Sequence, residues 1–445
     1  MNSGQKNTYE KIMSITTLSL LVVILACFIM GFKRPAMGVV GYLFVYVVYN
    51  PEAWYGQQLT AILFRPSLVV ALMLCIVCLI NTHKLTWKFS RREIEIYVFM
   101  IICFIVSFFF GIGVRENNWI YLEKLLKLSI FLFFLFRSVH QFPDYQMVVW
   151  TLIGGGVFVA VQAHWIGGYV GSRLNDVGGT DFSEANAFAA FMAMNMIFLG
   201  FKLFKKKWWI KCLIAIPVAV MLNALMMTQS RGVFIGLFFC LIYVGIRSPI
   251  AIKKEVIIYI SLAIVLFFML AHDKFWERMG TIEDESSLLS QENSQWNDIE
   301  TPTRIDFWRS SIDIFKDYPL GIGVKNFEVI VPRYDYRNPG KDAHNTYVLC
   351  YSEIGIIGII LFIIIIFEAI TQLRRINHFS KQKDERFELR IAAFSLTVVL
   401  ILYLTGPMMT HSYLYSEFTW IFLSLPVCLE NSMNHQIAIE TTERV

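Results

Sequence analysis

The feature that most constrains this chain is its division into long apolar blocks. They fall near residues 13–31, 36–49, 67–81, 96–112, 119–136, 147–166, 185–203, 208–227, 232–246, 256–271, 344–371, 391–406 and 412–429. A straight membrane span needs about 20 such residues, within a range of about 17–25. Lipid offers backbone N–H and C=O groups no partner, so blocks of this kind must be helices that satisfy themselves. The expected fold is all-α: a polytopic integral membrane protein with about 12–13 transmembrane helices. Blocks 36–49 and 67–81 fall short of a span, so one of them is expected to be re-entrant or extended by its flanks. The charged share of 16% agrees, since a soluble domain carries about 25%.

Lys6 and Lys11 precede the first block, in the manner of a secretory leader. Lys33-Arg34-Pro35 follows it, where a cleavage site of small residues would stand. The block is therefore expected to remain as a first helix. The eight cysteines lie almost entirely in apolar runs, and none lies between residues 272 and 343. Cys75 and Cys78 form a C-x-x-C, but within "LMLCIVCLI" they read as small apolar residues rather than a redox or metal pair. The net charge of +5 is modest. No basic face with interleaved aromatics appears, so nucleic acid is not an expected partner.

Basic residues set the orientation. Lys33-Arg34, Lys84 to Arg92, "KLFKKKWWIK" (202–211), Arg247 to Lys254 and Arg374 to Arg390 all fall on one side of the spans. The opposite loops at 50–66, 113–118 and 167–184 carry only Arg65, Arg115 and Arg173. The basic side is read as cytoplasmic; only the N-terminal tail dissents. This divides the chain into an N-terminal transmembrane bundle (1–271), a large extracytoplasmic loop (272–343), and C-terminal transmembrane helices with a cytoplasmic tail (344–445).

A loop of that length is functional or disordered. Its first half, "IEDESSLLSQENSQWNDIE", is acidic and polar. Its second half contains "TPTRIDFWRSSIDIFKD", with a helix start at Thr301-Pro302-Thr303. Ile305, Trp308, Ile312 and Phe315 are expected on one face, which makes an amphipathic helix able to lie on the membrane or cap a cavity. "YPLGIGVKNF" then reads as a turn-rich segment.

Several polar residues lie where lipid would penalise them. Arg231, in "MMTQSRGVFIG", either snorkels to the interface or aims into an outward cavity as an anion-binding guanidinium. Its neighbours Gln229 and Ser230 suit a lined cavity better. Gly232 and Gly236 allow close packing beside it. Glu123 and Lys127 can pair along one helix, and Lys124 beside them reads as structural. In "GSRLNDVGGTDFSEANAFAA" (171–190), Asp181 or Ser183 is expected to cap a helix beginning near Glu184. Arg173 shares the outer face, and Asn186 enters a helix of small residues. Arg304 sits in the first turn of the loop helix, against the helix dipole, which suggests an external anion or a carboxylate partner. His344 and Asn345 stand at the mouth of a helix, where free N–H groups bind anions. His344, Tyr347, Val348 and Tyr351 are expected to share a face. Glu353 points the other way and so is not its simple acid–base partner. No H-E-x-x-H, Walker loop or G-x-S-x-G elbow is present, so no metal or cofactor is expected.

Four motifs occur in order: "SRG" (230–232), "RIDFW" (304–308), "GIGVKNF" (321–327) and "HNTYVLCYSEIGIIG" (344–358). Together they resemble the O-antigen ligase/polymerase family of membrane glycosyltransferases over roughly residues 170–430. "KRPAMGVVGYLFVYVVYNPEAWYG" (33–56) is similar to the O-glycosylation ligases of that group. The resemblance implies a glycan carried on undecaprenyl diphosphate and transferred to an acceptor hydroxyl on a lipid, protein or growing polysaccharide. Transfer would occur at the outer face of the bacterial inner membrane, with the large loop periplasmic, and without metal or nucleotide sugar. Arg231, Arg304 and His344 would be catalytic. The arginines would hold the diphosphate, with Arg173 as a third contact. His344 would be either the base for the acceptor hydroxyl or a further diphosphate contact. Asn186, Asn345, Tyr347 and Glu353 would bind or orient substrate. Direct, inverting transfer is expected, since no carboxylate is placed as a nucleophile. The family includes both ligases and polymerases. The reading from another class is a lipid-linked sugar flippase; polar residues crowded at one face oppose it, because transporters bind near the midplane.

Overall fold

Apolar runs become helices here where the chain also supplies starts and stops. The computed structural model describes residues 13–113, 115–170, 173–179, 181–270, 304–338 and 340–442. Lys6, Lys11, the acidic first half of the large loop and Thr301-Pro302-Thr303 lie outside these residues. Helix α1 (Ile15–Gly31) opens on Ser14, whose Oγ accepts from the Thr17 N–H at 3.1 Å. Helix α2 (Ala36–Val48) follows Pro35. Helices α3 (Trp54–Leu63) and α4 (Pro66–Ile80) meet at a 54° bend. That pair explains the short block at 67–81, since α3 supplies the missing length from its N-terminal flank.

Helix α5 (Arg91–Phe109) starts with a Ser90–Glu93 capping box. Helices α6 (Arg115–Ser138) and α7 (Phe142–Ile166) lead to a two-stranded hairpin, β1 (Tyr169–Val170) against β2 (Arg173–Leu174). Helices α8 (Ala185–Lys202), α9 (Trp208–Thr228), α10 (Arg231–Arg247) and α11 (Lys253–Leu270) follow. The loop helix α12 (Arg304–Asp317) precedes α13 (Thr346–Glu353), α14 (Gly355–Ser380), α15 (Phe387–Thr405) and α16 (Glu417–Thr442). The protein is all-α and crosses the membrane several times.

Among the described residues, five helices are long and apolar enough to span, or six if α3 and α4 count as one. The expected 12–13 helices include others that fall outside this set through charge or length. Helices α1 and α2 are short, at 17 and 13 residues. Helices α5, α6 and α16 carry charges that meet protein rather than lipid. Arg137 pairs with Glu93, both fully buried. Arg92 donates to Gln372 Oε1 at 2.7 Å and to the Ile365 carbonyl at 3.0 Å. A buried guanidinium is tolerable only with such partners. Helices α8 and α15 form the centre, with 67% and 78% of their apolar windows buried against 22% for peripheral α9.

Two further expectations change. The block 344–371 is not one stem, because it breaks between Glu353 and Gly355. Gly355 has φ +75°, and a Cβ there would lie 2.3 Å from the Leu320 carbonyl carbon. Only glycine allows both the left-handed backbone and the approach. On α12, the buried residues are Phe307, Ser310, Ser311 and Ile314, while Ile305 and Ile312 are exposed. The helix has apolar residues on two stripes, and contact with α13 buries the one that the periodicity did not select.

Candidate active site

The segment "GIGVKNF" is folded around one carboxylate. Glu353 is fully buried; its Oε2 accepts from Lys325 N at 2.8 Å and its Oε1 from Phe327 N at 2.8 Å. Tyr415 Oη donates to Oε2 at 2.5 Å. Ile322 and Gly323 N–H groups bond the Ser352 and Glu353 carbonyls. Burying a carboxylate is costly unless hydrogen bonds replace water, and here three do. Glu353 therefore shapes the loop from within the protein.

"HNTY" is fastened to a second segment, residues 407–416. Asn345 caps α13, accepting from Tyr347 N at 2.9 Å and Val348 N at 3.2 Å. Thr346 Oγ1 donates to the His411 carbonyl at 2.8 Å and accepts from Tyr413 N at 2.9 Å. Tyr347 Oη donates to the Leu404 carbonyl at 3.4 Å. His344 lies before the cap, with φ +48°, so it is not on the helix and does not share the face of Tyr347 and Val348 as expected. A left-handed backbone at a residue other than glycine costs free energy and is found most often at functional sites.

The arginine side of the site is built from α8, α9, α10 and the hairpin. Arg173 Nη2 donates to Asn186 Oδ1 at 2.6 Å, and its Nε to the Thr228 carbonyl at 2.8 Å. Ser230 Oγ donates to the same Asn186 oxygen at 2.8 Å. The chain reverses at Gln229 (φ +49°), so Arg231 becomes the first residue of α10. Gly232 follows against Thr410: a Cβ would lie 1.9 Å from its Oγ1. The close packing expected of the glycine pair thus places Arg231 beside the segment that leads to His411.

The two arms meet at two histidines. The rings of His344 and His411 are 6.0 Å apart, and Phe307 of α12 lies 6.5 Å from His344. His411 Nε2 pairs with the Glu184 carboxylate. Burial pushes the His344 imidazole below its ordinary value. Asp342 and Glu184 oppose that shift, while His411 and Arg304 add to it. Burial pushes Glu184 upward, but the hydrogen bond and charge of His411, then His344 and Lys325, hold it below the usual carboxylate range. Arg173, Asn186, Arg231, Arg304, Asn345 and His344 are thereby linked through one end of the bundle.

Glu184 itself is the N-cap position of α8, with no side-chain cap, so neither Asp181 nor Ser183 plays that part. Asp181 instead accepts from Ser416 Oγ at 2.9 Å and from Lys124 Nζ at 3.1 Å. Lys124 also meets Glu417 at 2.7 Å, and Tyr46 Oη donates to Glu417 at 2.6 Å. Lys127 pairs with Glu123 at 2.6 Å, as expected. Lys124 is thus a cross-tie between helices, which its place near a helix entrance did not suggest.

Sequence reasoning missed His411, Glu184 and Tyr413. "THSY" (410–413) interrupts two apolar blocks much as "HNTY" does, and that symmetry was the available signal.

This arrangement defines a class: a multi-pass helical membrane protein with a cation-rich polar site at one end of its bundle. Residues 216–363 match the family model described as O-antigen ligase. Residues 15–208 match a family of unknown function, DUF5935. No curated protein matches the chain. The match of residues 216–363 supports membership of the O-antigen ligase/polymerase family and with it a glycan-transferring membrane enzyme. That domain holds Arg231, Arg304, His344, Asn345, Tyr347 and Glu353. Arg173 and Asn186 fall in the other match, and His411 lies beyond both.

Proposed function

We propose that this protein transfers a glycan from undecaprenyl diphosphate to an acceptor hydroxyl at the outer face of the bacterial inner membrane. The observation that carries the reading is Arg304 close to His344, with Arg173 and Arg231 on elements packed beside the segment that bears His411. As the glycosidic bond breaks, negative charge develops on the lipid diphosphate. Guanidinium groups match phosphate oxygens bidentately. Fixed cations in a partly dehydrated site stabilise that charge where it forms. Arg231 and Arg304 hold the diphosphate, and Arg173, steadied by Asn186, is the third contact. An apolar groove of about 600 Å³ between α7 and α9 includes Asn223, five residues before Thr228, and suits the polyprenyl chain.

His344 takes the proton from the acceptor hydroxyl. An imidazole held below its ordinary value is neutral at working pH and able to accept. Attack is direct and inverting: Glu184 is engaged by His411 and Glu353 by the 325–327 backbone, so neither serves as a nucleophile. In this reading residues 1–271 and 344–445 form the membrane body, and 272–343 the periplasmic loop that brings in Arg304.

The test is transfer in membranes given a lipid-linked oligosaccharide already on the outer leaflet. His344→Ala and Arg231→Ala should each lose transfer. Wild-type rates in both would sink the residue assignment. Lipid movement by the wild type with no new glycosidic bond would replace the enzyme reading with a flippase.

A further inference from the structure

His411 is more than nine-tenths buried, and its Nδ1 has no hydrogen-bond partner among the described residues. Its Nε2 is committed to Glu184. In a neutral imidazole one nitrogen donates and the other accepts. Nε2, bonded to a carboxylate, is the donor, so Nδ1 is the acceptor of the neutral ring. The same ring lies 6.0 Å from His344, and Tyr413 packs edge-on against it at 4.8 Å. The two imidazoles have different charged neighbours. His344 has the guanidinium of Arg304 near it, besides the Asp342 carboxylate; His411 has Glu184 in direct contact. Lys325 stands near Glu184. The backbone holds the rings in register, since Thr346 donates to the His411 carbonyl and Asn345 Nδ2 to the Met409 carbonyl.

We propose that His411, held by Glu184, is the positioning partner of His344 that receives the proton His344 removes from the acceptor. The inference rests on His344 acting as the base. In the transfer step the hydroxyl O–H bond breaks as its oxygen bonds to the anomeric carbon. The bond from that carbon to the diphosphate oxygen breaks, and the diphosphate leaves with the electron pair. The proton is then on His344. With the ring centres 6.0 Å apart, it passes through one solvent molecule to Nδ1 of His411, which becomes an imidazolium against the Glu184 carboxylate, and His344 is neutral again. A cation is more stable beside Glu184 than beside Arg304. Glu184 keeps the Nε2 proton in place, and the Nδ1 proton is lost to water as the product leaves, which restores the Nδ1 lone pair.

The experiment compares the first turnover with continued turnover in membranes supplied with lipid-linked oligosaccharide. His411→Ala should keep the first transfer within about twofold of wild type and slow later ones about 100-fold, the low end of a lost proton-transfer group. Glu184→Gln should act in the same direction. Imidazole in the buffer should restore His411→Ala, a response that a purely structural residue would not show. Wild-type continued turnover in His411→Ala would overturn the proposal. So would an equal loss in both phases that imidazole does not repair. Failure of the underlying reading looks different: His344→Ala would then retain its first turnover.

Discussion

The Nζ of Lys124 lies 2.7 Å from the carboxylate of Glu417, and Asp181 closes the triad at 3.1 Å. The contact ties α6 to α16 and to the segment before α8, so it holds the floor on which Glu184 and the histidines stand. Removing the lysine leaves two carboxylates facing each other. Lys124→Met should cost about 2–3 kcal/mol, below the ~3–5 kcal/mol of a fully buried pair because the lysine is partly exposed. Thermal unfolding in detergent measures it. Adding Glu417→Gln should recover part of the loss; unchanged melting of Lys124→Met would disprove the role.

Glu353 satisfies a buried and a half-buried backbone donor and a tyrosine hydroxyl. Each donor left unsatisfied costs about 1–3 kcal/mol. Glu353→Ala should lower stability by about 3 kcal/mol or more. Glu353→Gln, which keeps one acceptor oxygen, should lose less. Both are read by thermal unfolding, and equal losses in the two would argue against the hydrogen bonds as the cause.

Gly355→Ala meets the Leu320 backbone and a positive φ together. The expected cost exceeds the ~1–3 kcal/mol of left-handed strain alone. Gly245 has open space where its Cβ would stand and a helical position, so Gly245→Ala should be neutral or slightly stabilising. A pair of melting curves separates the two cases.

If Arg231 grips diphosphate oxygens bidentately, lysine cannot replace it. Arg231→Lys and Arg231→Ala should both lower kcat by about 10²–10³, the effect of losing one donor to a developing anion. Full activity in the lysine variant would point to a simple charge at the interface instead.

The pH profile tests His344. Transfer requires its neutral form, so the rate should stay level at neutral pH. It should fall on acidification through an apparent pKa below the ordinary value of about 6.5. Asp342 is a negative charge that favours the protonated ring. Asp342→Asn should therefore shift the acid limb to lower pH. A shift to higher pH would contradict the geometry.

Much of this protein follows from local patterns. Apolar block length located most helices within a few residues, because a helix in lipid satisfies its own backbone whatever lies beside it. The order of the SRG, GIGVKNF and HNTY motifs pointed to the family. The Glu123–Lys127 pair followed from helical spacing alone.

What the sequence could not determine was which distant groups meet. Tyr46 and Glu417 are 371 positions apart, yet they share a hydrogen bond. Glu184 and His411 belong to different blocks, and no periodicity links them. The buried face of α12 depended on α13, and the break at Gly355 on the backbone of Leu320. Local patterning determined where helices form and which end of them carries cations. Tertiary packing decided the proton acceptors, the loop anchored by Glu353 and the partner of Lys124. Those outcomes rest on desolvation and contact, which exist only once the helices are side by side.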